Sequence, residues 1–153
     1  MHVISQTSYL FTYGSTAISW RSVKQTLVAT SSNHSKIIAI HEASWECIQP
    51  RSIIQHIKEK YGLSTIKNSP SILFEDNIVC ITQLKGGYIK WDKTKHISPK
   101  FFNTHELQQN GKINMKQIRS NDNLADLLTK SLSASTFKKL VYNIGMHHLK
   151  DLS

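Results

Sequence analysis

The chain has 153 residues, 39% of them hydrophobic, which is enough for one domain with a real core and too apolar for compositional disorder. Its formal net charge of +9 favours a polyanionic partner. No apolar run approaches a membrane span, and the N-terminus lacks the basic-then-apolar pattern of a signal peptide, so the reading is of a non-membrane, intracellular chain, cytoplasmic or nuclear.

Taken in order, Tyr9 to Tyr13 is rich in β-formers, Gly14-Ser15 signals a turn, and Thr16 to Arg21 reads as a returning strand. A short extended run over Thr26 to Thr30 follows, and Ser31, Ser32 or Asn33 can cap the next element. From His34 to about Tyr61 a long helical pattern carries two stripes: Ile37, Ile40, Ala43, Cys47 and Ile48, then Ile53, Ile54 and Ile57. Pro50 interrupts it, because a mid-helix proline lacks the amide that would bond the carbonyl of Glu46 and its ring crowds that turn. The helix must kink or restart there. Gly62 ends the pattern.

Ser71 to Leu84 is the organising stretch. Ile72-Leu73-Phe74 reads as a short buried strand that delivers Asp76 and Asn77 at the start of a helix marked by Ile78, Val79, Ile81 and Leu84. A carboxylate at the C-terminal end of a strand beside a helix start is a common place for ligands in open α/β sheets. The plainer reading is an N-cap aspartate and nothing more. Gly86-Gly87 breaks the helix, and Tyr88 to Lys100 follows with Lys90, Lys93, Lys95, His96 and Lys100 against the single acid Asp92, with Tyr88 and Trp91 interleaved. Such a run suits a nucleic-acid backbone with stacked bases. It also suits a solvated helix start with core aromatics, the preferred reading for Phe101 and Phe102. Phe101 to Gln109 reads as helix, Ile113 to Ile118 as strand, Leu124 to Lys130 as a short helix capped by Ser120 or Asp122, and Thr136 to Ile144 as a last helix stopped by Gly145. The order makes one mixed α/β domain over residues 1–153.

Cys47 and Cys80 fit no metal-ligand spacing and fall in apolar stretches, as small core residues do. His96 lacks partners at ligand spacing, His147-His148 reads as surface, and Ser31-Ser32 with His34 forms no nucleophile site. With no amphipathic basic helix at either end, nucleic acid is favoured over an anionic membrane as the partner.

Four strings together carry a resemblance: AISWRSVKQTLVATSSNHSKIIAIHEASWEC, LFEDNIVCITQLKGG, DKTKHISPKFF and IRSNDNLADLLTK. In that order, over about Gln6 to Leu152, they resemble the RNase H domain of copia-type retrotransposon Pol polyproteins. The resemblance implies an RNase H-like fold, a five-stranded mixed sheet with helices on both faces. It implies a magnesium-dependent endonuclease that hydrolyses the RNA strand of RNA–DNA hybrids, with two Mg²⁺ ions held by four carboxylates.

Carried over residue by residue, the Asp of the family's strand-end D-N pair is Asp76, and that of the late L-A-D-x-x-T-K motif is Asp126. Both are thereby candidate catalytic and metal-binding residues. The family's helix Glu falls at Lys36. Its first Asp belongs to a strand upstream of the hairpin, before this sequence begins. Glu42 lies about 240° around a helix and about 9 Å along it from Lys36, and Glu46 lies further, so neither replaces the lost Glu. An ammonium at that position repels Mg²⁺ and can pair with Asp76, or it can point to solvent. Pro50, Trp45 and the pair Ile78 and Val79 also depart from the family pattern. The absent first strand belongs in the middle of the sheet, between the hairpin and the Asp76 strand. Its absence leaves a gap for the N-terminal residues, upstream Pol segments or another chain to fill.

The leading expectation is therefore a truncated RNase H-like domain, inactive as a nuclease, that binds nucleic acid through Lys90, Lys93, Lys95 and His96. The alternatives are an active Mg²⁺-dependent ribonuclease H whose missing strand is supplied in trans, and a non-catalytic protein-interaction module.

Overall fold

Left-handed backbone at both Gly14 (φ 57°) and Ser15 (φ 64°) makes the tight turn that the right-handed twist of paired strands prefers. It joins β1 (Gln6–Tyr13) to β2 (Thr16–Lys24), an antiparallel hairpin with a register shift between Phe11 and Thr12. The computed structural model describes residues 5–26, 31–63, 69–89 and 97–147, so most of the extended run expected over Thr26 to Thr30 lies outside the described residues.

The long helical pattern is two helices, α1 (Ser32–Glu46) and α2 (Ile48–Lys60). The Ser31 hydroxyl caps α1 by accepting from the His34 amide at 3.2 Å. Pro50 sits in the first turn of α2, where its missing amide costs no intrahelical bond, so the helix restarts rather than kinks. The first apolar stripe is core: Ile37, Ile40, Ala43 and Cys47 are buried. The second is not. α2 buries no residue, and Ile53 and Ile57 are exposed, because helical period shows that a face is apolar but not what covers it.

β3 (Ser71–Glu75) leads into α3 (Ile78–Gly86). After α4 (Ser98–Gln109) the chain returns in β4 (Ile113–Gln117), parallel to β3 with Ser71 opposite Ile113. A crossover built of helices is what a parallel pair needs. Two 3-10 helices, Ser120–Asp122 and Leu124–Leu128, precede α5 (Ala134–Asn143). The second is capped by Asn123, whose side chain accepts from the Ala125 amide, rather than by Ser120 or Asp122.

The core gathers Ile37, Ile38 and Ile40 of α1, Cys80, Ile81 and Leu84 of α3, Phe101 of α4 and Met115 of β4, with Leu73 packed against it. The strand expected to be buried is half open. Leu73 faces the core, but Ile72 is 40% and Phe74 57% exposed on the opposite face. Ile78 and Val79 are exposed as well, and of the two adjacent phenylalanines Phe101 is buried while Phe102 is 43% exposed.

The fold is mixed α/β, but the described strands form two separate two-stranded sheets, β1–β2 and β3–β4. A groove of about 660 Å³ lies between β1 and β3. No described helix is long and apolar enough to cross a membrane.

Candidate functional site

Adjacent side chains on a strand point to opposite faces. Glu75 ends β3 and the chain bends at Asp76, so the two carboxylates converge instead. Asn77 fixes the bend. Its side-chain oxygen accepts from the amides of Val79 (3.0 Å) and Cys80 (3.2 Å), and its own amide donates to Glu75 Oε1 (3.0 Å). Asn77, not Asp76, is thus the N-cap of α3, which leaves the Asp76 carboxylate for other partners.

Those partners come from three other places in the chain. Lys36, in the first half of α1, places Nζ 2.6 Å from Glu75 Oε1 and 2.5 Å from Asp76 Oδ1. Ser120 Oγ donates to Asp76 Oδ2 at 2.9 Å. Lys130 Nζ lies 4.0 Å from the same Oδ2 and donates to Asp126 Oδ2 at 2.8 Å. Asp126 is buried, as is Glu75. The hairpin closes the cluster from the far side. Ser8 Oγ donates to the Ala125 carbonyl (3.4 Å) and Ser22 Oγ to that of Leu128 (3.0 Å).

The electrostatics follow the geometry. Burial works against the Lys36 charge, but hydrogen bonds to Asp76 and Glu75 outweigh it and raise the lysine pKa. Glu75 is pushed up by burial and by hydrogen bonding to Asp76, against the pull of Lys36. Asp76 is held well below the usual carboxylate range by hydrogen bonding with Glu75, then by Lys36 and Ser120. A proton entering this pair goes to Glu75 first.

Asp76 and Asp126, read from the sequence as ligands, are therefore brought together, with an ammonium beside each. This donor set does not fit a two-magnesium centre, because the carboxylates it would use already engage Lys36 and Lys130. Among the described residues, no group of three or more His, Cys, Asp or Glu side chains is arranged to hold a metal ion. Glu42 and Glu46 stay apart from the cluster, and Glu46 pairs with Arg21 at 3.4 Å. Lys90, Lys93, Lys95 and His96 lie outside the described residues.

The chain is 30% identical over 143 residues to the retrovirus-related Pol polyprotein from transposon TNT 1-94 of Nicotiana tabacum. It is 27% identical over the same length to those from transposons RE1 and RE2 of Arabidopsis thaliana. These homologues are Pol polyproteins of copia-type transposons. Each match covers 94% of this chain, and the chain spans only about a tenth of each polyprotein, 10% of the first and 9% of the others. No family model matches the chain, and no solved structure matches it.

Sequence reasoning missed three members of the cluster, Glu75, Ser120 and Lys130. Lys130 was findable, since it stands four residues after Asp126, a spacing that brings side chains together on one helical face. Glu75 was not, because strand alternation points it away from Asp76 and only the bend brings it back.

Proposed function

We propose that this chain is an RNase H-like segment of a copia-type retrotransposon Pol polyprotein that binds nucleic acid and does not hydrolyse it. The single observation that carries this reading is the Lys36 ammonium seated between the Glu75 and Asp76 carboxylates. Carboxylates neutralised by lysines are poor ligands for a hard divalent cation, whose own attraction would have to displace both ammonium groups. The +9 charge supports phosphate contact, and homology to Pol polyproteins supports a retrotransposon origin. An RNA–DNA hybrid is the substrate class that the sequence resemblance suggests.

The test is an end-labelled RNA–DNA hybrid incubated with the parent chain and Asp76→Asn in Mg²⁺, with bound and cut species resolved on one gel. The expected result is a bound species that weakens by roughly a hundredfold between about 50 and about 200 mM salt, with no cut product from either protein. Cutting by the parent but not by Asp76→Asn overturns the loss of hydrolysis. Absence of binding at low salt overturns the nucleic-acid reading.

A further inference from the structure

α2 is tied to the rest of the protein from one side. Arg51 donates to the Lys112 carbonyl, and Lys58 Nζ stands 5.5 Å from the centre of the Tyr13 ring. At about 100° per residue, Ile53 lies about 160° around the helix from Arg51. Ile53, Ile57 and the C-cap Tyr61 follow one another at four-residue spacing and fall within about 80° of arc. They are between 45% and 67% exposed. Gly62, with φ 65°, closes the helix: its amide donates to the Glu59 carbonyl and that of Leu63 to the Lys58 carbonyl. The exposed Leu63 thereby extends the apolar surface at the C-terminal end.

The charges of α2 are arranged about this arc. His56 and Lys60 border it on one side and Lys58 on the other, while Glu59, the one acid of α2, falls about opposite and accepts from the Gln55 amide at 2.8 Å. Among the described residues, neither Lys58 nor Lys60 has an ion-pair partner.

Side chains at i, i+4 and i+8 form a ridge, and interdigitation of such ridges is the commonest way two helices pack. The ridge from Ile53 to Tyr61 runs about 12 Å along the axis, a little over two turns. A helix arrives with its backbone groups already paired, so it covers apolar side chains without leaving amides unsatisfied. Nucleic acid would meet the lysines but give the two isoleucines no apolar partner. Helices that lie in an anionic bilayer carry Trp, Phe or Leu along the buried face, and α2 has none of these. A second copy would set the same lysines against each other, on a chain already at +9. We propose that the exposed face of α2 docks an acidic amphipathic helix of another protein, whose apolar ridge crosses Ile53, Ile57 and Tyr61 and whose carboxylates face Lys58 and Lys60. This docking is independent of the nucleic-acid reading.

The probe is a fluorescein-labelled synthetic helix of roughly twenty residues, long enough to hold its fold in water, with leucines at four-residue spacing flanked by glutamates. Its twin carries lysine in place of each glutamate. Fluorescence anisotropy should show saturable binding of the glutamate peptide by the whole chain, weakening at least fivefold between about 50 and about 300 mM salt, and no binding of the twin. Ile53→Glu, at the more exposed of the two isoleucines, should weaken binding at least tenfold, and so should Lys58→Glu with Lys60→Glu. All are surface changes that should keep the parent's circular dichroism and unfolding midpoint. Lys85→Glu, which makes the same charge change on α3, should alter binding less than twofold. Four results overturn the proposal. One is no saturable binding of the glutamate peptide. Another is an equal loss in Lys85→Glu, which makes the attraction one of net charge alone. Binding to phosphatidylserine–phosphatidylcholine vesicles that Ile53→Glu abolishes makes a membrane the occupant. A dimer in sedimentation that Ile53→Glu breaks makes a second copy the occupant.

Discussion

Lys36 Nζ lies within 2.6 Å of carboxylate oxygens from two consecutive residues, Glu75 at 2.6 Å and Asp76 at 2.5 Å, at the point where β3 becomes α3. Two adjacent anions, each with only about a tenth of its side chain exposed, would repel strongly without a cation between them. The contact ties α1 to the β3–α3 turn, so it is structural as well as electrostatic.

Lys36→Met keeps the stem and removes the charge. Because the lysine side chain is itself a third exposed, the loss falls between that of a surface and a buried pair, about 1–2 kcal/mol. Urea unfolding at pH 7 of Lys36→Met, Asp76→Asn and the double variant measures it. The double variant should cost clearly less than the sum of the two singles.

Asn77→Ala removes the oxygen that accepts from the Val79 and Cys80 amides and should cost about 1 kcal/mol, with far-UV circular dichroism nearly unchanged. If Asp76 were the cap, this substitution would be close to silent in denaturant unfolding.

The two apolar stripes should respond differently to truncation. Ile37→Ala empties a fully buried site and should cost about 2–5 kcal/mol, whereas Ile53→Ala, at a position 61% exposed, should stay within about 0.5 kcal/mol. Thermal and urea denaturation of the two variants side by side checks the contrast.

His41 is buried on α1, with Nδ1 3.3 Å from Thr104 Oγ1 and Trp45 edge-on to its ring. Burial, then the charge of Lys100, lowers its pKa from 6.5 to about 4. Between those values the unfolded chain takes up a proton that the folded chain refuses. Stability from this residue is therefore complete above pH 6.5 and declines as pH falls toward 4, by at most about 3 kcal/mol. Unfolding free energies at pH 7, 6, 5 and 4 should show this decline, and His41→Gln should flatten it.

Burial pushes the Cys80 thiol up to about 12 and raises that of Cys47. Thiolate is the reactive form, so neither should react with a disulfide reagent at pH 8 while the chain is folded, and both should react in urea. Fast labelling of Cys80 in the native chain would contradict its burial.

Much of the local structure was legible from contiguous residues. The Gly14-Ser15 turn, a cap within Ser31 to Asn33, an interruption at Pro50 and the apolar stripe of α1 depend on backbone geometry and on neighbours three or four positions away, while the choice of Ser31 and of a restart over a kink came from the structure. Asp76 and Asp126 were singled out by resemblance, and their meeting through Lys130 followed only once the chain had folded. Which faces are covered was not legible, because an apolar stripe reads the same whether or not another element packs on it.

The sequence by itself marked most of the elements, the Gly14-Ser15 turn and the apolar face of α1, since hydrogen bonds, steric limits and periodicity within a few residues decide these. Only the tertiary structure decided that Lys36 joins Glu75 and Asp76, 39 and 40 residues away. It also decided that Ile72 and Phe74 lie open and that β1 and β3 line one groove. Those outcomes depend on which distant segments pack together, and that is a property of the whole chain rather than of any stretch within it.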